Sequence, residues 1–89
     1  MRVVLTVIGQ DKVGIIAGVS NTLAECNINI ININQNIMQG FFNMVLIADM
    51  GAANVSLQEA KEKFHALGEK LGVEIRMQSE EIFKAMHHV

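Results

Sequence analysis

Residues 2–26 read RVVLTVIGQDKVGIIAGVSNTLAEC, and the change of period inside this stretch decides the fold. Val3, Leu5 and Val7 share one face of an alternating run while Arg2, Val4, Thr6 and Ile8 take the other, the two-residue repeat of a strand. Gly9-Gln10-Asp11-Lys12-Val13-Gly14 breaks that run. Ile15, Ile16, Val19, Leu23 and Cys26 then recur at helical spacing, with Ser20, Asn21 and Glu25 opposite, so a helix is expected over roughly residues 14–26.

Reading outward, alternation returns after Asn27. Ile31, Ile33 and Ile37 share one parity and Asn32, Asn34 and Asn36 the other, giving a long second strand. Gln39-Gly40 is a short turn into Phe41 to Met50, whose run Met44-Val45-Leu46-Ile47-Ala48 suits a central strand buried on both faces. Ser56-Leu57-Gln58-Glu59 forms a capping box that starts a second helix, with Leu57, Ala60, Phe64, Leu67 and Leu71 as its apolar stripe. Gly72 is placed to end it. Val73, Ile75 and Met77 then alternate inward against Glu74, Arg76 and Gln78, and residues 79–89 read as a short terminal helix or arm with Ile82, Phe83 and Met86 on its apolar side.

The order β-α-β-β-α-β with right-handed crossovers specifies one α+β domain over residues 1–89. It is a ferredoxin-like sandwich: a four-stranded antiparallel sheet with two helices on one face, plus the short C-terminal helix or arm. Strands one and three should be central and two and four at the edges. The second sheet face is expected to be uncovered, carrying Val4 and Ile8. A chain of 89 residues buries only about 60–65% of its unfolded surface, so 51% hydrophobic residues are difficult to hide in one core. Some apolar surface should face a partner, and a second copy of the chain, as homodimer or tetramer, is the expected one.

Charge and composition narrow the function. A net charge of −2 gives no general attraction for phosphate backbones, and strand one has no aromatic to stack a base, so nucleic acid is not expected as a partner. The single Cys26 fits a reducing compartment, the opening apolar run is too short for a secretion signal, and nothing approaches a membrane span. A cytoplasmic address and no membrane partner follow as expectations. No cofactor is expected. The first loop holds neither a paired-thiol metal motif nor an arginine for a phosphoryl group. His65 is the only internal histidine, and His87-His88 lack further ligands, so neither a catalytic residue nor a metal site is expected.

The loop Asp11-Lys12-Val13-Gly14-Ile15 is more informative, because it leads into a helix N-terminus whose free amides and partial positive charge favour a carboxylate. Gly14 admits close backbone approach. Asp11 can cap the helix or accept a hydrogen bond from a ligand ammonium, and both alternatives remain open on the residues alone.

Gly9-Gln10-Asp11-Lys12-Val13-Gly14-Ile15-Ile16-Ala17-Gly18-Val19, followed by Asn27-Ile28-Asn29-Ile30, resembles the signature of the ACT domain family over essentially the whole chain. It is similar to the ACT modules of glycine-cleavage repressors and formyltetrahydrofolate deformylases, and above all to stand-alone single-ACT proteins of bacteria and archaea. ACT domains commonly bind amino acids at dimer interfaces and pass the signal to an attached enzyme or regulator. The resemblance therefore implies a non-enzymatic sensor of a small amino acid, with Asp11, Lys12, Val13, Gly14 and Ile15 as the ligand loop. It also implies that Asn29 matches a strand-two residue many ACT dimers contribute from the other subunit. Val13 stands where the family loop often has proline. The alternative is a ligand-free interaction module that dimerises or docks onto an enzyme or regulator partner.

Overall fold

In the computed structural model, which describes residues 1–86, the centre of the domain is β1 (Arg2–Gln10), with Val3, Leu5 and Val7 wholly buried. It is followed by α1 (Ile15–Glu25), β2 (Asn29–Met38), β3 (Phe41–Asp49), α2 (Leu57–Leu71), β4 (Glu74–Ser79) and α3 (Glu80–Met86). The antiparallel sheet has the order β2-β3-β1-β4, with strands one and three central as the pattern predicts. Ile15, Val19 and Leu23 of α1 and Ala60 and Phe64 of α2 close the core over one sheet face. No polar side chain is buried among the described residues, so apolar burial holds the layers together.

Helix α2 begins and ends as its sequence dictates. Glu59 N donates to Ser56 Oγ at 3.1 Å and Ser56 N donates to Glu59 Oε1 at 2.9 Å, completing the capping box. Gly72 ends the helix in the left-handed conformation at φ 72°. The Ser56 hydrogen bonds, backbone first, hold the Glu59 carboxyl below its ordinary value of 4.5. A depressed folded-state value adds stability above pH 4.5 that is lost as pH falls through the lowered value. Thermal melts between pH 6 and 3 should therefore show a Glu59-dependent decline, and Glu59→Gln should remove that component while leaving the other carboxylates' share.

The link from α2 to β4 packs very tightly at Val73, against β1 on one side and α2 on the other. A Cβ on Gly9 would stand 2.7 Å from Val73 Cγ1, and one on Gly68 would stand 2.8 Å from the Val73 carbonyl oxygen. Glycine at both positions permits the approach.

Beyond β3, which is buried on its helix side only, with Val45 exposed and Ile47 half-buried on the other face, two features differ from the sequence expectation. The face opposite α1 and α2 is not left open along its whole width, because α3 folds back against β1 and β4. Ser79 Oγ accepts from Ile82 N at 3.2 Å to start that turn, and Gln78 Nε2 donates to Met86 Sδ at 3.3 Å. Val4 is consequently only 3% exposed, whereas Ile8 is half-exposed at the rim of a groove of about 340 Å³ shared with Phe83 and Met86. The second difference is a β-bulge in β2. Ile30 pairs with Ala48 and Asn32 with Ile47, so Ile31 is the extra residue. The bulge shifts parity: Ile30, Ile33 and Ile37 lie on the helix side, and Asn29, Asn32, Asn34 and Asn36 lie on the opposite face.

Candidate functional site

The loop between β1 and α1 is built from three anchors. At its start, Asp11 N donates to Gly40 O at 2.8 Å, tying the loop to the β2–β3 turn. Gln39 and Gly40 both have positive φ, 54° and 82°, as a two-residue primed turn requires, and this turn presents the Gly40 carbonyl to the loop. In the middle, Lys12 Nζ donates to Leu71 O at 3.3 Å. That carbonyl belongs to the last turn of α2, where an ammonium both satisfies an orphan acceptor and meets the negative end of the helix dipole. At its end, Gly14 sits at φ 97°, ψ −5°, a left-handed conformation that turns the chain directly into α1.

Asp11 does not cap α1. The N-cap is Gly14, no side chain caps this end, and the first turn contains no acidic residue. The first amides of α1 thus emerge behind a residue without a side chain, and apart from its own chain neighbours no described residue comes within 4 Å of where a Gly14 Cβ would be. Val13 is fully exposed, Asp11 is exposed, and Ile15 is buried and fixes the helix to the core. The result is an exposed backbone turn leading into the partly positive end of α1, with the exposed Asp11 carboxylate in the same loop.

Of the six residues singled out from sequence, the structure brings together Asp11, Val13, Gly14 and the backbone of Ile15. It directs the Lys12 ammonium away, onto α2. Asn29 stands elsewhere. It pairs with Asp49 at one end of β3, whereas the loop follows Gln10, which pairs with Phe41 at the other end. The separation is the length of β3, roughly 26 Å at about 3.3 Å per residue. Asn29 cannot reach the loop of its own chain. Missing from the sequence reading were the carbonyls of Gly40 and Leu71, which hold the loop in place. The Gln-Gly turn signalled the first, and nothing local signalled the second, since Lys12 and Leu71 are 59 positions apart.

The depressions of the surface lie away from this loop and are less equipped for a small ligand. A cleft of about 490 Å³ between α2 and β4 is lined by Lys61, Glu62, His65 and Arg76. There Arg76 turns both Nε and Nη2 onto Glu74 at 2.9 and 2.8 Å, and His65 lies 3.7 Å from Glu69. Among the described residues no three His, Cys, Asp or Glu side chains gather as metal ligands. His87-His88 lie outside the described residues. Cys26 is free and buried, and among the described residues no helix is long and apolar enough to cross a membrane.

Comparison with known proteins gives a consistent picture. Residues 1–78 match the ACT domain family. A UPF0237 protein of Listeria innocua is 53% identical over 87 residues, covering 98% of each chain. The ACT domain protein from Streptococcus pneumoniae superposes with a TM-score of 0.82 at 37% identity over 98% of both chains. A formyltetrahydrofolate deformylase from Pseudomonas syringae pv. tomato gives a TM-score of 0.80 at 28% identity over 88% of this chain, but only 27% of that enzyme is covered.

Proposed function

The chain belongs to the ACT domain family, and from that membership we propose that it is a non-enzymatic regulatory protein that binds a small amino acid where two copies of the chain meet. The observation that carries this reading is the bare N-terminus of α1 behind Gly14, with Asp11 in the same loop. The α1 amides would hold the carboxylate, which suits their unpaired donors and the helix dipole. Asp11 would accept from the ammonium, and the wall facing the loop would come from Asn29 of the other copy. Lys12 serves as a strut rather than a ligand contact, since its ammonium is taken by Leu71.

A catalytic role has little to stand on, because no nucleophile, base and orienting group converge among the described residues. The match to the deformylase covers about a quarter of that enzyme, so its activity does not transfer.

A thermal-shift panel of the twenty amino acids tests the reading. A ligand present at about 100 times its Kd stabilises the folded state by about 2.7 kcal/mol. For a domain of this size that corresponds to roughly 10–20 °C in Tm. Asn29→Ala should cancel the shift while leaving the unliganded Tm within a degree or two. No shift with any amino acid at millimolar concentration would overturn ligand sensing and leave the ligand-free interaction module as the reading.

A further inference from the structure

Strand β4 is the outer edge of the sheet next to β1, and no described strand pairs with its far side. Two depressions of about 490 and 580 Å³ share His65, Ile75 and Arg76, so they form one groove that follows this edge under the flank of α2. Lys61 lies toward its Met77–Gln78 end and Glu69 toward its Glu74 end. On the other face of the sheet α3 runs back along the same strand. Gln78 Nε2 holds Met86 Sδ over β4 at 3.3 Å, and Ile82, four residues earlier, lies on the same side of α3. The free edge thus runs between two helices, α2 on one face and α3 on the other.

Edges are ordinarily blunted by charge or by brevity, and β4 has six residues and two charged side chains between Glu74 and Gln78. Those two charges satisfy each other along the strand and not across it: Arg76 Nε and Nη2 both donate to Glu74 Oε1, at 2.9 and 2.8 Å. The groups left over around the edge are of two kinds. Ile82 and Met86 are 54% and 59% exposed, and Ile75 is half-buried in the groove, which gives an apolar lining on both faces. Lys61 is half-buried in the groove and has no carboxylate within ion-pair distance among the described residues, while Glu62 beside it is exposed. A partly desolvated ammonium without a counter-charge favours an incoming anion.

We propose that this slot receives an extended peptide segment of a partner protein, which adds to β4 as a fifth, antiparallel strand. Its apolar residues lie against Ile75 and against the Ile82–Met86 row, and an acidic residue lies against Lys61. Side chains alternate between the faces, so peptide residues opposite Ile75 and Met77 meet α2 and those opposite Arg76 and Gln78 meet α3. The matching run opposite residues 75–78 is apolar, apolar, acidic, apolar, which an antiparallel strand reads in reverse as Ile-Asp-Ile-Ile. A strand of six residues is about 20 Å long, and its addition would bury on the order of 1,000 Å² in all, the size of a transient encounter. That size suits one segment of a partner better than a permanent assembly. Nothing in this placement depends on an amino acid bound at the β1–α1 loop.

A fluorescein-labelled peptide, acetyl-Thr-Ile-Asp-Ile-Ile-Thr-amide, titrated with the full chain and read by fluorescence anisotropy, tests the slot. It should bind saturably at micromolar concentration. Lys61→Glu should weaken binding at least tenfold, and exchanging the peptide's Asp for Lys should recover it with that variant. Ile82→Asp, at an exposed position outside the core, should weaken it by a similar factor, and Asn21→Lys on α1 should change nothing. N-methylation of the peptide amides that face β4 should abolish binding, whereas N-methylation of the alternate set should leave it. Hydrogen exchange gives a readout that needs no variant: the peptide should slow exchange of the amides in residues 74–79 that do not pair with β1. No saturable binding at millimolar peptide, equal loss from both N-methylated sets, or Lys61→Glu without effect would overturn the proposal. Protection of β4 on concentration alone, with a doubled mass by light scattering and no response to the peptide, would replace the peptide with a second copy and overturn it too. An amino-acid response without peptide binding would overturn the slot alone. Peptide binding by a chain that responds to no amino acid would support the slot and overturn ligand sensing alone.

Discussion

Phe42→Ala should cost about 3–5 kcal/mol, the range for emptying a buried aromatic site. Phe42 is 2% exposed and lies in β3 directly between Gly9 of β1 and Ile37 of β2. A domain of this length has a total stability of about 4–13 kcal/mol on the usual per-residue scale, so the variant should be marginal or unfolded at 37 °C. Urea melts at 25 °C measure the loss directly. Phe42 also stands two residues beyond Gly40, whose carbonyl anchors Asp11. A variant rescued by cooling should therefore show faster hydrogen exchange in residues 38–43 and 9–14 than in α2. Uniform exchange across all of these segments would show that Phe42 contributes bulk stability and does not position the loop.

Gly68→Val acts through the opposite fault, overpacking. Its Cβ would stand 2.8 Å from the Val73 carbonyl oxygen and 3.4 Å from Ile75 Cγ1, and the backbone atom in that pair cannot rotate away. Two γ-methyls add to the collision, so the expected cost is about 3 kcal/mol or more. Because the Gly68 carbonyl accepts from Val73 N at 3.0 Å, the strain falls on the α2–β4 corner, next to the Leu71 carbonyl that receives Lys12. Gly68→Ala should be the milder member of the pair. A valine variant that melts within two degrees of the natural chain would show that α2 can lift off the start of β4 without loss.

Much of the fold is legible in residue order because single elements state their own ends. Ser56 and Glu59 begin α2 and Gly72 closes it, and the alternation of Val3, Leu5 and Val7 identifies the central strand. The split of β2 into Ile33 and Ile37 on one face and Asn32, Asn34 and Asn36 on the other was legible, but its start was not: Ile31, grouped with Ile33 by parity, is the extra residue of a bulge, which sets Asn29 on the face of Asn32 and Ile30 on that of Ile33. The position of α3 was hidden for a different reason. Its few apolar residues permit a free arm as well as a docked one, and the burial of Val4 depends on contact between segments at opposite ends of the chain. The ligand loop was legible as a segment but not in its supports. Asp11 was open to a capping role that Gly14 makes unnecessary, and Lys12 was placed in the ligand set although its acceptor is contributed by α2.

The strand order has a bearing on how the chain leaves the ribosome. The β2–β3 hairpin carries a single charge, Asp49 at its far end, to discourage misassembly, and Asn/Ile-rich strands are well suited to cross-β stacking. Yet β1, the partner β3 needs on its other side, is synthesised first. Each nascent chain therefore carries a template that can claim half of the hairpin as soon as it emerges, leaving only the outer edge for another molecule to sequester.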